Sequence, residues 1–494
     1  MISAAFGLGM AELAAGILPD GSSPVVAAGE FVIRNAPGGA ERWAIRTFGT
    51  NDKPFLVVST IVIVLALGAA AGLLMRTRPL AASAIVVVAV GFGVLTSMRH
   101  QDATILDAVP AIVGGLAAVL ILRLLLRLDA AAGPAGPLSP DASGRRTVLV
   151  AGGAALVAAP FAGLLGRRLQ DRVDAAASRA KVSLPAPAQP LPALPAGTDL
   201  HLAGLSPFTT PNADFYRIDT ALLIPQVDAQ SWSMRIFGRV DHELTFTFEE
   251  LLARPLVEAD ITLACVSNEV GGSLVGNARW LGVPLRDLLT EAGVHPDADQ
   301  VVGRAVDGFT VGFPVSAALD GRQALVAVGM NGEPLPLRHG FPVRLVVPGL
   351  YGYVSATKWL SEIELSRFAD FDPYWIRLGW AQPAPIKVQS RIDTPRGRVA
   401  AGPVNVAGVA WAQERGVRAV EVRVDGGPWH PADLADAVGT DTWRQWVYRW
   451  DATAGRHVLE VRATAGDGEV QTGQTSPPFP SGATGWHSRQ VSVG

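Results

Sequence analysis

Four long apolar stretches near the start of the chain limit most strongly how it can fold. They are Pro54–Met75, Leu80–Met98, Ala108–Leu126 and Val148–Leu165. Each has about 18–22 residues, the length that an α-helix needs to cross the hydrocarbon core of a membrane. Residues 1–180 are therefore predicted to form a helical transmembrane domain with about four or five spans. Met1–Leu18, which carries Glu12, is a shorter fifth candidate.

The arginines beside these stretches predict the orientation of the helices. Arg76 and Arg78 follow the first stretch, Arg123 lies near the end of the third, and Arg127, Arg145 and Arg146 lie between the third and the fourth. Because cytoplasmic loops are enriched in Lys and Arg, the chain after Leu165 is expected outside the cytoplasm of a cell membrane. Ser143–Val150 (SGRRTVLV) also resembles a twin-arginine export signal, or its two arginines simply mark the inner end of a helix.

The composition excludes several kinds of chemistry. A net charge of −3 in 494 residues gives no sign of nucleic-acid binding. With one cysteine and no Cys-x-x-Cys-His motif, the chain cannot hold an iron–sulfur cluster or a c-type haem. The predicted spans contain no internal histidine, which argues against a bis-histidine haem. The soluble part has no glycine-rich nucleotide-binding motif and no serine-hydrolase motif.

Three further regions follow the predicted membrane domain. Residues 181–200 are rich in proline and alanine and are predicted to form an extended linker. Residues 201–379 mix strand-like and short helical patterns, which is typical of an α+β domain. Residues 380–494 contain short alternating strands separated by Gly, Asp and Pro turns, a pattern that predicts an immunoglobulin-like β-sandwich.

The single cysteine, Cys265, follows the apolar strand-like residues Ile261 and Leu263 and precedes a loop of small and polar residues. A lone thiol cannot form a disulfide within the chain, so it is a buried spectator, a reactive group or a metal ligand. The residue types around Cys265 alone leave these possibilities open.

Several motifs between residues 205 and 370 bear on this choice. In chain order they are Thr210–Tyr216 (TPNADFY), Cys265 with Asn277–Trp280 (NARW), Met330–Pro336 (MNGEPLP), His339–Arg344 (HGFPVR), Pro348-Gly349 and Lys358-Trp359. Their order and spacing resemble the molybdopterin-binding domain of the sulfite oxidase family. The resemblance implies a molybdenum-dependent oxidoreductase with molybdopterin as cofactor.

The same resemblance implies roles for individual residues. Cys265 would be the thiolate ligand of molybdenum and the catalytic residue, and a soft thiolate suits a metal that already carries sulfur ligands. The cofactor-binding residues would be Phe215, Tyr216, Arg217, His339, Arg344, Ala356, Thr357 and Lys358. Arg344 and Lys358 would bind the phosphate of the pterin. Alternatively, Arg344 is a salt-bridged sheet residue and Lys358 a solvated turn residue.

Two positions depart from the pattern of sulfite oxidases. Glu269 stands where the family has an arginine that helps to bind the anionic substrate. Val328 falls at the position of the family's active-site tyrosine. A carboxylate repels a dianion and valine donates no hydrogen bond, so sulfite is disfavoured as the substrate.

The sequence thus predicts a membrane-anchored molybdopterin oxidoreductase that transfers oxygen atoms on a small substrate. Its electrons would pass to or from a separate protein or a quinone. Val422–Trp429 and Trp443–Trp450 resemble the dimerisation domain of the family, which implies a possible homodimer. The alternative is a non-catalytic surface receptor built on a degenerate cofactor fold.

Overall fold

The computed structural model describes residues 1–18, 23–36, 43, 47–48, 52–99, 104–131, 142–170 and 175–494. The chain divides into two compact units. The first comprises Met1–Asp174 and Thr220–Gln226, and the second comprises Ala175–Asp219 and Val227–Gly494. The predicted linker thus belongs to the second unit, together with the cofactor-binding motifs.

The first unit is built mainly of helices, all of them within Met1–Asp174 in its described part. Its helices are Ile2–Ile17, Pro24–Asn35, Asp52–Leu74, Pro79–Ser97, Val109–Ala131, which follows a 3₁₀ turn at Ile105–Ala108, and Ala142–Gln170. Within the part of the chain that the structure describes, four segments are long and apolar enough to cross a membrane: Lys53–Leu74, Pro79–Ser97, Ile105–Ala131 and Arg146–Leu169. They coincide with the four predicted spans. Ile2–Ile17 is apolar but has only 16 residues.

Glycines allow the helices of this unit to approach closely. A Cβ atom on Gly9 would lie 2.2 Å from the carbonyl oxygen of Ala159, and one on Gly16 would lie 2.1 Å from that of Gly166. Helix Ile2–Ile17 is therefore packed backbone to backbone against helix Ala142–Gln170, as small residues permit in membrane proteins. The side chains of residues 142–145, which include the first arginine of the export-like motif, lie outside the described residues.

The second unit begins with the helix Ala175–Lys181 and continues with one antiparallel sheet and one mixed sheet. The strands are β1 (Ser233–Gly238), β2 (Leu244–Thr247), β3 (Val257–Ala264), β4 (Val275–Pro284), β5 (Gln300–Ala305), β6 (Thr310–Pro314), β7 (Leu325–Met330), β8 (Glu333–Pro334), β9 (Arg344–Val346) and β10 (Leu360–Ser366). One sheet has the order β3-β4-β7-β8 with β9 paired to β7, and the other has the order β2-β1-β10-β5-β6. Both contribute to one hydrophobic core, which gives the predicted α+β domain.

Short helices connect these strands, and their ends follow local sequence signals. They are Phe248–Leu252, Leu285–Ala292, Val315–Leu319, Gly352–Ser355 and Tyr374–Arg377, with a 3₁₀ turn at Leu337–His339. Thr247 caps the first through reciprocal bonds with Glu250. Gly293 ends the second in a left-handed conformation.

The C-terminal region forms two further sheets. Its strands are β11 (Gln389–Thr394), β12 (Arg398–Val399), β13 (Gly402–Trp411), β14 (Val417–Val424), β15 (His430–Pro431), β16 (Asp433–Leu434), β17 (Arg444–Ala452), β18 (Gly455–Ala465) and β19 (His487–Val493). The sheet orders are β11-β13-β17-β16 and β12-β19-β18-β14-β15. The two sheets share a buried core, so the region is a sandwich. Its immunoglobulin-like classification stays a prediction.

The predicted linker is extended but lies against the second unit. The backbone N–H of Ala188 donates to the carbonyl oxygen of Leu256 over 2.8 Å. The N–H of Leu191 donates to the carboxylate of Glu258 over 2.9 Å. Residues 188–191 are therefore held beside the start of β3, and the domain boundaries drawn from the sequence stay a prediction.

Strand β3, which delivers Cys265 to its loop, has its outer edge covered by the C-terminal region. On one side it pairs with β4 from Val257 to Ala264. On the other side the N–H of Thr262 donates to the carbonyl oxygen of Asp441, and the N–H of Trp443 donates to the Thr262 hydroxyl. At Thr262, β3 is therefore bonded to β4 on one edge and to the C-terminal region on the other. These bonds fix the direction in which the chain continues to Cys265.

Candidate active site

Cys265 lies one residue beyond the end of β3 and is buried. Its N–H donates to the carbonyl oxygen of Leu274 over 2.9 Å, which closes the loop between β3 and β4. Burial raises the pKa of the Cys265 thiol, while hydrogen bonds from Ser267 and the charge of Lys358 act in the opposite direction. The thiol therefore needs an electrophilic partner, such as a metal ion, to become a thiolate near neutral pH.

His339 ends a buried 3₁₀ turn and lies beside Arg344, the first residue of β9. An Arg344 Nη1–H donates to the carbonyl oxygen of His339 over 3.0 Å. The Arg344 guanidinium also lies 4.9 Å from the ring centre of Trp280, and no carboxylate among the described residues forms an ion pair with it. Burial lowers its pKa to about 10, so it carries an unneutralised positive charge at neutral pH.

The imidazole of His339 is held in one tautomer. Its Nε2 lies 3.0 Å from the carbonyl oxygen of Asn212, which can only accept a hydrogen bond. Burial and the charge of Arg344 lower the pKa of His339 to about 3, so the ring is neutral. Nε2 therefore carries the proton, and the buried Nδ1 is an acceptor without a partner among the described residues.

Phe215 and Tyr216 lie beside His339. The group of neighbouring side chains called the pocket below consists of Phe215, Tyr216, Cys265, His339, Arg344 and Lys358. The rings of Phe215 and Tyr216 are stacked with their centres 5.2 Å apart. The rings of Phe215 and His339 are nearly perpendicular, with their centres 5.6 Å apart. Burial raises the pKa of the Tyr216 hydroxyl, and the nearby Cys265 raises it further, so the phenol stays protonated. The predicted aromatic pair thus lies between the cysteine and the histidine.

Lys358 brings a second positive charge into the pocket. Its ammonium donates to Asp219 over 2.9 Å and lies 5.4 Å from the ring centre of Trp359. Burial lowers the pKa of Lys358 to about 8, although the charge of Asp219 opposes this change. Arg217 donates to the same carboxylate over 2.7 Å.

A glycine lets the two basic segments approach each other. Gly340 has a φ of 108°, and a Cβ atom there would lie 3.0 Å from Lys358 and 3.2 Å from the Cβ of Arg344. Any other residue would be strained and would push these side chains apart. The two predicted phosphate ligands, 14 positions apart in the chain, are therefore packed around Gly340.

The predicted backbone contacts of Ala356 and Thr357 with the cofactor stay a prediction. The N–H of Ala356 donates to the carbonyl oxygen of Gly352, and the carbonyl of Thr357 accepts from Leu345. Both groups are therefore committed within the chain. The buried Thr357 hydroxyl has no hydrogen-bond partner among the described residues, although it lies against Gly303.

The C-terminal sandwich contacts the loop that follows Cys265. Arg391 donates to the carbonyl oxygen of Gly272 over 2.8 Å and to the carboxylate of Asp393 over 2.6 Å. The ring of His487 lies against Gly271, whose φ is 76°. Residues more than 100 positions away in the sequence thus hold the cysteine loop.

Replacing Gly271 tests this contact. A Cβ atom there would lie 2.2 Å from Cδ2 of His487, in addition to straining the backbone. We expect Gly271→Ala to lower the melting temperature of the detergent-solubilised protein. Gly332 is the matched control, because it has a φ of 82° but no neighbour within 4 Å of its Cβ position. Both substitutions cost about 1–2 kcal/mol of backbone strain.

Gly271→Ala is expected to lower the melting temperature more than Gly332→Ala does. This extra loss should disappear when both substitutions are made in a His487→Ala background. Equal losses of thermal stability in Gly271→Ala and Gly332→Ala would contradict the contact.

The two positions that depart from sulfite oxidases differ in their surroundings. Glu269 is exposed in the cysteine loop, where its carbonyl oxygen accepts from the N–H of Gly272. Val328 is fully buried in β7 and contributes only apolar surface. Arg279 is paired with Asp260 over 2.8 Å, and its charge is thereby neutralised.

Comparison with known proteins identifies the family. Residues 221–375 match the family described as the oxidoreductase molybdopterin binding domain. The sulfite oxidase of Gallus gallus is 30% identical over 336 residues, which cover 57% of this chain and 72% of that protein. This chain belongs to the sulfite oxidase family of molybdopterin oxidoreductases. An uncharacterized oxidoreductase of Bacillus subtilis strain 168, YuiH, is 36% identical over 153 residues, or 31% of this chain and 74% of that protein.

Further matches define how far the likeness extends. The human mitochondrial sulfite oxidase is 28% identical over 310 residues, and the chain spans 56% of its length. The crystal structure of the sulfane dehydrogenase SoxCD from Paracoccus pantotrophus has a TM-score of 0.51, with 23% identity, and covers 58% of this chain and 81% of its own. The latter likeness concerns the fold alone. Together these matches favour an oxidoreductase over the receptor alternative and confirm the family inferred from the motifs.

Membership of the sulfite oxidase family implies the molybdenum–molybdopterin cofactor, and the residues of the pocket fit it. Among the described residues, Arg344 offers a buried positive charge without a carboxylate partner, and His339 offers a buried acceptor without a donor. Phosphate and pterin N–H groups are the complementary partners of these two groups. The thiol of Cys265 adds a soft metal donor beside them.

Sequence reasoning missed several residues of the pocket. Asp219 pairs with both Arg217 and Lys358, and Asn212 fixes the tautomer of His339. Asp219 follows the aromatic pair by only a few residues, so a search for carboxylates near the predicted cations would have found it. Arg391 and His487 carry no comparable local signal, because only the tertiary fold brings them to the cysteine loop.

Proposed function

We propose that this protein is a membrane-anchored molybdopterin oxidoreductase that transfers an oxygen atom to or from a small substrate outside the cytoplasm. The observation that carries the proposal is the buried pocket in which the Cys265 thiol lies near Lys358 and Tyr216, with Arg344 and His339 beside them. When bound, the cofactor supplies two-electron chemistry coupled to the gain or loss of an oxygen atom.

Each residue of the pocket has a defined task in this proposal. Cys265 holds the metal, and Arg344 and Lys358 bind the phosphate of the pterin. The neutral His339 accepts a hydrogen bond at Nδ1, which suits an N–H group of the pterin better than a phosphate oxygen. Phe215 and Tyr216 exclude water from one side of the cofactor.

The charge of the cysteine loop supports a substrate other than sulfite. Glu269 is exposed and has no cationic partner among the ion pairs of the described residues. An exposed carboxylate in the cysteine loop repels a dianion but tolerates a neutral molecule. We therefore propose neutral sulfoxides or N-oxides as the substrate class.

The first unit supports the proposed location in a membrane. Four candidate spans would anchor the chain, and the arginine distribution supports an outer location for the second unit. Electrons would then be exchanged with a separate redox protein or with a quinone in the membrane. The C-terminal sandwich would mediate formation of a homodimer.

Metal analysis combined with a turnover screen tests this proposal. Protein purified from a host that makes the cofactor should contain about one molybdenum and one pterin per chain. In an assay coupled to a redox dye, we expect turnover with a sulfoxide or an N-oxide and little with sulfite. Absence of both molybdenum and pterin would overturn the enzyme assignment, and efficient sulfite turnover would overturn the substrate class.

The role of Glu269 can be separated from that of the rest of the loop. Glu269→Gln removes the negative charge and keeps the size of the side chain, so we expect KM for sulfite to fall while KM for a neutral substrate stays the same. Glu460→Gln, in the C-terminal sandwich, is the matched control. An unchanged KM for sulfite in Glu269→Gln would remove Glu269 from substrate selection.

A further inference from the structure

One carboxylate joins the two chain segments that form the basic side of the cofactor pocket. Asp219 accepts from the Lys358 ammonium over 2.9 Å and from Arg217 Nε over 2.7 Å and Nη2 over 3.2 Å. Asp219 and Lys358 are 139 positions apart in the sequence. The carboxylate therefore fixes the segment after the aromatic pair against the segment that carries Lys358.

Burial restricts the geometry of the ion pair between Asp219 and Lys358. The side chain of Asp219 is 7% exposed and that of Lys358 is 10% exposed. Water competes little for either group, so their separation is set by the ion pair and by the neighbouring ring of Trp359. A lysine side chain has a long flexible stem, and without a fixed partner its ammonium samples many positions.

The carboxylate does not cancel the positive charge of the pocket. Arg217, Lys358 and Arg344 bring three positive charges, and Asp219 brings one negative charge. The local sum remains positive, so the pocket can hold both the carboxylate and a phosphate. Lys358 can use one N–H for Asp219 and keep the other two for a phosphate, because an ammonium has three donors.

We propose that Asp219 is a positioning residue of the cofactor's phosphate site, which holds the Lys358 ammonium and Arg217 where the phosphate binds. The inference rests on the proposed function, because Lys358 is taken there as a phosphate ligand. It assigns a role to a residue that the motifs do not contain. If Asp219 positions Lys358, its removal weakens phosphate binding. If Asp219 only competed with phosphate for Lys358, its removal would strengthen phosphate binding.

Inorganic phosphate binding tests the inference without any assay of activity. The full chain is produced in a host that cannot make the cofactor, purified in detergent, and studied by equilibrium dialysis in a phosphate-free buffer. We expect Asp219→Asn to weaken phosphate binding by about tenfold, the lower end of the effect of outer-shell partners in metal sites. The loss should occur although the substitution makes the pocket more positive.

Further variants keep the test decisive if Asp219→Asn folds poorly. Asp219→Glu should restore most of the affinity, and in a Lys358→Gln background Asp219→Asn should have a much smaller effect. Glu460→Gln, which removes the partner of Arg423 at 2.7 Å in the sandwich, should bind phosphate like the wild type. Melting temperatures of all variants identify those that fail to fold.

The possible outcomes have distinct meanings. Unchanged or tighter phosphate binding in Asp219→Asn would overturn the inference, as would a wild-type protein that binds no phosphate. The proposed function is judged separately by the molybdenum and pterin content of the wild type from a competent host. Failure of one of these two measurements does not imply failure of the other.

Discussion

Cys265→Ser is expected to abolish turnover while leaving the fold intact. The substitution removes the only thiol of the chain and keeps the size of the side chain nearly unchanged. Serine is a hard oxygen donor with a much higher pKa than a thiol, and it replaces a soft thiolate poorly at a metal with sulfur ligands. We expect the rate to fall by at least about 100-fold, the upper end of the effect of losing an outer-shell partner.

The pterin content separates a direct role from a structural one. Arg344, Lys358 and His339 are untouched by Cys265→Ser, so the variant should retain much of its pterin and its melting temperature. A changed absorption spectrum of the bound metal would accompany the loss of rate. Turnover like that of the wild type in Cys265→Ser would remove Cys265 from the metal site.

Arg344→Gln is expected to release the cofactor. Arg344 is 3% exposed, and its guanidinium lacks a carboxylate partner among the described residues and remains charged at neutral pH. Removing one partner of a buried charge pair costs roughly 2–5 kcal/mol. Since 1.4 kcal/mol corresponds to a factor of ten in affinity, pterin and molybdenum should fall to a small fraction of one per chain.

Two further variants define what Arg344 supplies. Arg344→Lys keeps the charge but loses the planar fork, so it should retain an intermediate amount of cofactor. Arg423→Gln disrupts an ion pair of the sandwich and should retain the wild-type content. Full cofactor content in Arg344→Gln would show that the phosphate binds elsewhere.

The sequence predicted best those features that depend on local pattern. The four candidate spans are visible in apolar stretches such as Leu80–Met98, because a helix in lipid must satisfy its backbone within one segment. The start of the helix Phe248–Leu252 likewise has a local cause in the reciprocal bonds between Thr247 and Glu250. The motif containing His339 and Arg344 indicated residues that the fold does bring together.

Features that depend on long-range contacts were not predictable in the same way. The composition of the proline-rich segment predicts an extended linker. In the structure, however, Ala188 and Leu191 are hydrogen-bonded to residues at the start of β3. The pairing of Asp219 with Lys358 depends on how two distant segments meet. The contact of His487 with Gly271 likewise requires the complete sandwich.

The covered edge of β3 has a consequence for how this protein can change over evolution. Thr262 is bonded through both its backbone N–H and its hydroxyl to residues of the C-terminal region, only three positions before Cys265. An uncovered strand edge invites pairing with other chains. The sandwich and the cysteine-bearing sheet therefore have to be inherited together, and recombination between residues 265 and 441 would separate partners that were selected for each other.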